Sequence, residues 1–296
     1  MTDQRKTASA FPREVLTLFD QYVHGGLTRR AFLDRSAAVL GSAAAATTML
    51  AALTPDFAGA QLVAPDDKRI RTERVDIASP AGSGTIRAYV ARPTGSKRRP
   101  VVLVVHENRG LNPHVEDIAR RLATEGFIAV APDALTALGG YPGAEDTART
   151  LFGQLDQAKV GNDFLAAAQW AEKLPDGNGR LGATGFCWGG GTVNTLAARM
   201  PSLRAAVPFY GPPPKLDTVP AIRAELLIQM AENDTRINAM WPAYQTALTA
   251  AGTRHTAYIY PGVEHGFNND TTPRFDKAAA ALAWSRTLAL FRRTLA

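Results

Sequence analysis

A chain of 296 residues, 46% hydrophobic and 20% charged, has the composition of an ordinary soluble globular protein, which excludes a disordered chain and a polytopic membrane protein. Its net charge of +6 is spread thinly, with Lys97-Arg98-Arg99 the only dense basic run; such a triplet reads as a solvated loop, so no nucleic-acid partner is expected. The lone cysteine, Cys187, cannot form an intrachain disulfide, and no Cys/His spacing matches a structural zinc site, so no metal or cofactor is expected.

Residues 1–60 differ in composition from the rest. Thr28-Arg29-Arg30-Ala31-Phe32-Leu33 precedes an alanine-rich apolar stretch from Ala37 to Leu53, and Ala58-Gly59-Ala60 is a small-x-small pattern suited to cleavage before Gln61. That order is the layout of an export signal. The paired arginines resemble the twin-arginine type, whose cargo crosses folded, so the twin-arginine machinery is an expected partner and the product is expected to be periplasmic or secreted. Two features count against this: the long stretch 1–27 before the arginines, and Asp34 and Arg35 at the start of the apolar run. The alternative is an N-terminal helix or uncleaved anchor that stays with the protein, in a cytoplasmic or membrane-anchored form.

From about Arg69 the pattern alternates between strand and helix, and residues 61–296 read as one catalytic domain. Ile86–Ala91 alternates like a half-exposed strand, while Val101–Val105 is continuously apolar, as a strand buried on both faces would be. A helix over Val115–Thr124 ends at Gly126 and the strand Phe127–Ala131 follows. One long helical tract, Glu145–Leu174, leads through Pro175-Asp176-Gly177 to a strand over Arg180–Phe186 and a helix over Trp188–Met200. Further strands are expected at Ala205–Tyr210, Glu225–Ala231 and Thr256–Tyr260, with helices at Ala239–Ala250 and Pro273–Leu295. This alternation implies an α/β fold, a mainly parallel sheet with helices on both faces.

In such a sheet, functional groups gather at the carboxyl ends of the strands. Cys187 stands at one of them, in Gly185-Phe-Cys-Trp-Gly-Gly-Gly191. Gly-x-Cys-x-Gly at a strand-to-helix junction is a nucleophile elbow with cysteine in place of serine; the sharp turn brings the flanking positions too close for side chains. A helix N-terminus also favours thiolate. The elbow supplies the Trp188 N–H as one oxyanion-hole donor.

A thiolate needs a partner that carries a proton. His24 lies in the expected leader, His255 enters a strand and His114 reads as a surface residue. His106 ends the Val101 strand and stays possible, but His265, on the glycine-flanked loop after the last strand, is the best placed. Asp234, after the Glu225 strand, is the acid that orients it, with Glu232 a rival and Glu264 a weaker one. The chain order Cys187, Asp234, His265 is that of α/β-hydrolases.

With these residues in view, the chain resembles the dienelactone hydrolase family of α/β-hydrolases, carboxymethylenebutenolidase among them. The segments that carry the resemblance are Val104-Val-His-Glu-Asn-Arg-Gly110, Val130-Ala-Pro-Asp133, Gly185–Gly190, Gln229–Asp234 and Glu264-His-Gly-Phe267. It implies an α/β-hydrolase fold, a Cys187-Asp234-His265 triad, and a role for Glu107 in accepting the thiol proton when substrate arrives; the bland alternative is a strand-end residue paired with Arg109. Asn108 matches the second oxyanion N–H. Family members that open dienelactones hold the substrate carboxylate with arginines, one shortly after the catalytic histidine. Here no arginine follows His265 until Arg274, leaving Arg109 and Arg149 as the cations offered.

Thiolate leaves a tetrahedral intermediate more readily than alkoxide, so forward collapse requires a stabilised leaving group. The expected substrate is therefore a small activated ester or lactone, such as an enol lactone or aryl ester, hydrolysed by a monomer. The rival from another class is an exported, non-catalytic binding protein of the same fold. A serine esterase lacks its Gly-x-Ser-x-Gly, and a metal hydrolase is disfavoured because His106 and Glu107 are adjacent.

Overall fold

The computed structural model describes residues 7–296; residues 1–6 of the expected leader lie outside them. In chain order the elements are α1 (Arg13–Val23), α2 (Arg29–Leu40), α3 (Ala43–Leu53), the short α4 (Phe57–Ala60), β1 (Ile70–Ser79), β2 (Gly84–Pro93), β3 (Arg99–Val105), α5 (Pro113–Thr124), β4 (Ile128–Pro132), α6 (Glu145–Phe152), α7 (Gln157–Glu172), β5 (Gly177–Phe186), α8 (Trp188–Arg199), β6 (Ala205–Phe209), β7 (Glu225–Ala231), the short α9 (Thr235–Asn238), α10 (Trp241–Ala250), β8 (His255–Tyr260) and α11 (Lys277–Leu295). The strands form one sheet in the order β1-β2-β4-β3-β5-β6-β7-β8. Strands β3 to β8 run parallel, and β1 and β2 join antiparallel at one edge.

Strand β3 shows why a continuously apolar run belongs at the centre. Val101, Leu103 and Val105 face one layer with residues of α7 and α8. Val102 and Val104 face the other, with residues of α5 and α11. Because β3, β5, β7 and β8 are parallel, the residues following each of them emerge along one edge of the sheet.

Two expectations are corrected and one element is added. The tract Glu145–Leu174 is two helices, because Asp156 accepts from the Ala158 and Lys159 amides and so starts α7 afresh. The last helix begins at Lys277 rather than Pro273, capped by Asp276 on the Ala279 amide. Strand β1 was not anticipated as an element: as an edge strand carrying Arg71, Glu73, Arg74 and Asp76, it lacks the apolar run that marks β3.

The described part of the N-terminal segment, residues 7–60, is folded. Its apolar stretch breaks at Gly41-Ser42, where Gly41 has φ 80° and Ser42 caps α3 on the Ala45 amide. No single helix among the described residues is long and apolar enough to cross a membrane, and the pair around this break is bent by 116°. Helices α1 to α3 share a small core of their own, in which Phe32 packs against Phe19 and Tyr22 at ring distances of 6.1 and 5.4 Å, closed by Val15, Leu50 and Leu53. Phe32→Ala removes the centre of this core. It is expected to cost about 3 kcal/mol or more, read as faster proteolysis within residues 7–56 while the sheet remains protected.

Candidate functional site

Cys187 sits between the last residue of β5 and the first of α8, with φ 55° and ψ −115°. A non-glycine residue at positive φ is strained by about 1–3 kcal/mol unless its surroundings hold it. Here the Cys187 amide donates to the Phe209 carbonyl at 3.0 Å. A Cβ on Gly185 would lie 2.4 Å from the Gly189 carbonyl oxygen, and one on Gly189 would lie 2.4 Å from that of His106. Glycine is therefore obligatory on both sides of the cysteine, as the motif implies.

The loops after β7 and β8 bring the next two groups to the same edge. Asp234 accepts from the Ile237 amide through Oδ1 at 3.2 Å, which starts α9 and fixes the carboxylate. Its Oδ2 accepts from His265 Nδ1 at 2.5 Å, directing Nε2 of the ring toward Cys187. The rivals are engaged elsewhere: Glu232 accepts from the Gly262 amide at 2.8 Å and Glu264 from Asn233 Nδ2 at 2.9 Å. His106 is fully buried; its Nε2 accepts from the Ala134 amide at 3.0 Å, its Nδ1 donates to the Glu107 carbonyl at 2.5 Å, and its ring stacks on Trp188. Burial lowers its pKa. His114, expected at the surface, is instead buried 3.1 Å from Asp270. His255 Nδ1 donates to the Thr253 carbonyl at 2.8 Å.

One residue set aside by the sequence reading arrives at the centre. His24, just beyond the end of α1, places Nε2 3.3 Å from Cys187 Sγ and 3.3 Å from His265 Nε2. Its Nδ1 donates to the Asp20 carbonyl at 2.7 Å and lies 3.2 Å from Asp20 Oδ1. A signal was present: Asp20 and His24 are four residues apart at the end of an amphipathic run, Val15, Leu16, Phe19 and Tyr22, which marks a packed helix. His24, Cys187 and His265 offer three donor atoms within 4.8 Å of one another, of types that suit zinc.

Burial raises the pKa of the Cys187 thiol, but the His265 charge, and then the hydrogen bond and charge of His24, outweigh it and bring the thiol down to about 6. For His265, burial opposes the cation, while the Cys187 thiolate and Asp234 prevail and raise it. Burial likewise opposes the His24 cation, and Asp20 and Cys187 lift it to about 10.

Cys187 and His265 open onto a cavity of about 460 Å3 that Glu107, Asn108, Arg109 and Tyr141 also line, with the N-terminal helices closing it through Phe19, Tyr22, His24 and Leu53. The Glu107 carboxylate accepts from Asn269 Nδ2 at 3.0 Å. Trp188, as the first residue of α8, has its amide outside the intrahelical ladder, and the Asn108 amide enters no backbone hydrogen bond among the described residues. The Trp188 side chain packs with Phe152 and Phe164 away from the cavity. Arg109 reaches the cavity, 3.7 Å from Glu145 and donating to Asn108 Oδ1 at 2.7 Å. Arg149 does not line it: its guanidinium lies 4.4 Å above the Tyr22 ring and is occupied in holding α1. Arg274 does line it, over the Phe19 ring at 5.3 Å.

A family model described as the dienelactone hydrolase family matches residues 86–295, and one described as YqhI-like matches residues 1–40. A provisionally named carboxymethylenebutenolidase of Salmonella typhi is 34% identical over 227 residues, covering 72% of this chain and 84% of the relative. A similarly named protein of Synechocystis is 32% identical over 228 residues, covering 71% of this chain and 92% of the relative. Among solved structures, a provisionally named dienelactone hydrolase from Klebsiella pneumoniae is similar with a TM-score of 0.66 and 32% identity, covering 75% of this chain and 99% of that one.

The depressed thiol pKa fixes the direction of a reactivity profile. Thiolate is the reactive form, so alkylation of Cys187 by iodoacetamide is expected to rise with pH through about 6 and then level off. Intact-mass kinetics would show the midpoint moving toward the ordinary thiol range in His265→Ala.

Proposed function

Because the chain belongs to the dienelactone hydrolase family, and so is a hydrolase of the carboxylic ester or lactone kind, we propose that it works by nucleophilic attack of Cys187. The observation that carries this reading is the strained, glycine-enclosed cysteine beside a His265 whose far nitrogen is held by Asp234 at 2.5 Å. Thiolate attacks the carbonyl carbon, and the oxyanion forms toward the Trp188 and Asn108 amides, where losing one such donor costs on the order of 3 kcal/mol. Collapse breaks the bond from that carbon to the leaving oxygen, which departs as its stabilised anion and then takes the proton of the His265 imidazolium, leaving a thioacyl enzyme and a neutral imidazole. His265 then takes a proton from water, whose oxygen adds to the thioacyl carbon and releases the acid and the thiolate.

Glu107 shares the cavity with Cys187, which supports the role the family resemblance implies, that of accepting any proton still on the sulfur when substrate arrives. Arg109 is the retained candidate for an anionic group on the substrate, whereas the stacking of Arg149 on Tyr22 counts against its use there. Turnover of p-nitrophenyl acetate should yield an acetyl adduct on Cys187, seen by intact mass after rapid acid quench, and the Cys187→Ala variant should lose at least about 1,000-fold in kcat/KM. Turnover by Cys187→Ala that matched or exceeded wild type would remove the proposal.

We also propose export by the twin-arginine route, supported by Arg29-Arg30 and the apolar residues after them. The folding of the same residues over the site supports an enzyme that keeps them. Fractionation of the native host with mass analysis of the N-terminus should find an exported chain that retains His24; a chain beginning at Gln61 would show that the leader is removed.

A further inference from the structure

Beside the nucleophile stands a group to which the reaction above gives no task. His24 is held in place from several directions. Its amide donates to the Asp20 carbonyl at 3.1 Å, and the chain then reverses at Gly25, with φ 83°, and Gly26, whose amide donates to Gln21 at 2.8 Å. The Val23 carbonyl accepts from Asn108 Nδ2 at 2.7 Å, which ties this turn to the loop after β3. Asp20 in turn lies 3.6 Å from Arg274 Nη1. The result places a second imidazole with a nearby carboxylate on the other side of the sulfur. Asp234 accepts from His265 Nδ1 through its carboxylate, whereas His24 Nδ1 donates to the Asp20 main-chain carbonyl with the Asp20 carboxylate 3.2 Å away, and both Nε2 atoms converge on Cys187. A carboxylate behind an imidazole fixes its tautomer and stabilises its cation.

The groups facing His24 are Asp20 on its own helix, Cys187 at the elbow, His265 after β8, Arg236 on α9 with Nη2 at 3.2 Å, and Arg274 beyond Asp20. Arg236 offers only donors, and His265, as the cation that Asp234 and the thiolate favour, faces His24 with its own Nε2–H. A proton on His24 Nε2 is therefore directed to sulfur, 3.3 Å away.

We propose that His24 is the general acid of the acylation step, a catalytic residue supplied by the N-terminal helices that extends the substrate range from activated esters to esters of ordinary alcohols. This rests on Cys187 being the nucleophile. As the S–C bond forms, the carbonyl pair moves to oxygen. When that pair returns, the bond from the carbonyl carbon to the leaving oxygen breaks, and that oxygen takes the proton from His24 Nε2, leaving a neutral imidazole. The His265 imidazolium, its thiolate partner now acylated, passes its proton to His24, whose Nε2 lies 3.3 Å away. Water then loses a proton to the neutral His265 Nε2 as its oxygen adds to the thioacyl carbon, and collapse restores the thiolate between two imidazolium rings, which is the starting state. The need for a stabilised leaving group, which thiolate chemistry otherwise imposes, is met by protonation instead.

The test is a leaving-group series on the full chain, in buffers with EDTA so that no metal occupies the three donors. Wild type, His24→Gln and Asp20→Asn are compared on acetate esters running from p-nitrophenyl through trifluoroethyl to ethyl. General-acid catalysis contributes roughly 100-fold or more. His24→Gln is therefore expected to lose about that factor in kcat/KM on ethyl acetate and only several-fold on p-nitrophenyl acetate. Asp20, a positioning residue, acts through His24: Asp20→Asn should move the alkaline limb of the ethyl acetate profile to lower pH, because the cation loses its supporting carboxylate. An equal loss across the series, or none, overturns the proposal, as does a working enzyme that begins at Gln61. Failure of the underlying reading is recognised separately, as the absence of any acetyl adduct on Cys187 in wild type.

Discussion

The site depends on a place where there is no room. Strand β5 meets α8 so closely that Gly185 and Gly189 touch each other and the backbone of β3, and Gly190 approaches the Phe209 carbonyl to a distance that a Cβ would reduce to 2.5 Å. That contact forces Cys187 to positive φ and lifts its sulfur above the carboxyl edge of the sheet. The same turn leaves the first amide of α8 outside the helix ladder, beside the sulfur. Neither the nucleophile's position nor its nearest donor can be changed without reopening the β3-β5-α8 packing.

Around that sulfur the structure gathers charge where burial opposes it. Cys187, His265 and Asp234 are all nearly inaccessible, and an isolated ion in such a place would revert to its neutral form. The arrangement is stable because opposite charges alternate: carboxylate, imidazole, sulfur, imidazole, carboxylate, through Asp234, His265, Cys187, His24 and Asp20. Both imidazolium charges favour the thiolate, and the thiol falls to about 6 despite its burial. Removing either end carboxylate weakens an imidazolium, and through it the thiolate.

The parts of this that were legible in the sequence are those set by local sterics and by the sheet. Val101–Val105 announced a strand covered on both faces, the glycines announced the elbow, and the positions of Asp234 and His265 after strands placed them on one edge. The parts that were not legible depend on distant partners. Strand β1 carries alternating charges because it is an edge, so it lacked the apolar run that identifies β3. The break before α7 rests on one capping aspartate inside an otherwise helical tract. Arg149 looked free for substrate because nothing local shows that Tyr22 lies beneath it. His24 is 163 residues from Cys187 in sequence, and the alanine-rich run after it has the composition of a leader and of a packed helix alike.

The N-terminal helices are held together and held down by different forces. Their own core, built on Phe19, Tyr22, Phe32, Leu50 and Leu53, is apolar, and its burial favours one rigid unit. Their contacts with the rest of the chain are mostly polar or aromatic-cationic: Arg29 with Asp146 at 3.3 Å, the Tyr22 hydroxyl with Asp146, Arg149 over Tyr22, Arg274 over Phe19, and the Val23 carbonyl with Asn108 and Arg109. Of these, the exposed Arg29–Asp146 pair contributes little, whereas Arg109 and Arg274 are largely buried where they meet the N-terminal helices. The segment that follows is fixed at its far end, where the Leu62 and Val63 amides donate to the Asp117 carboxylate on α5. The free energy that folds the unit is thus separate from the free energy that docks it.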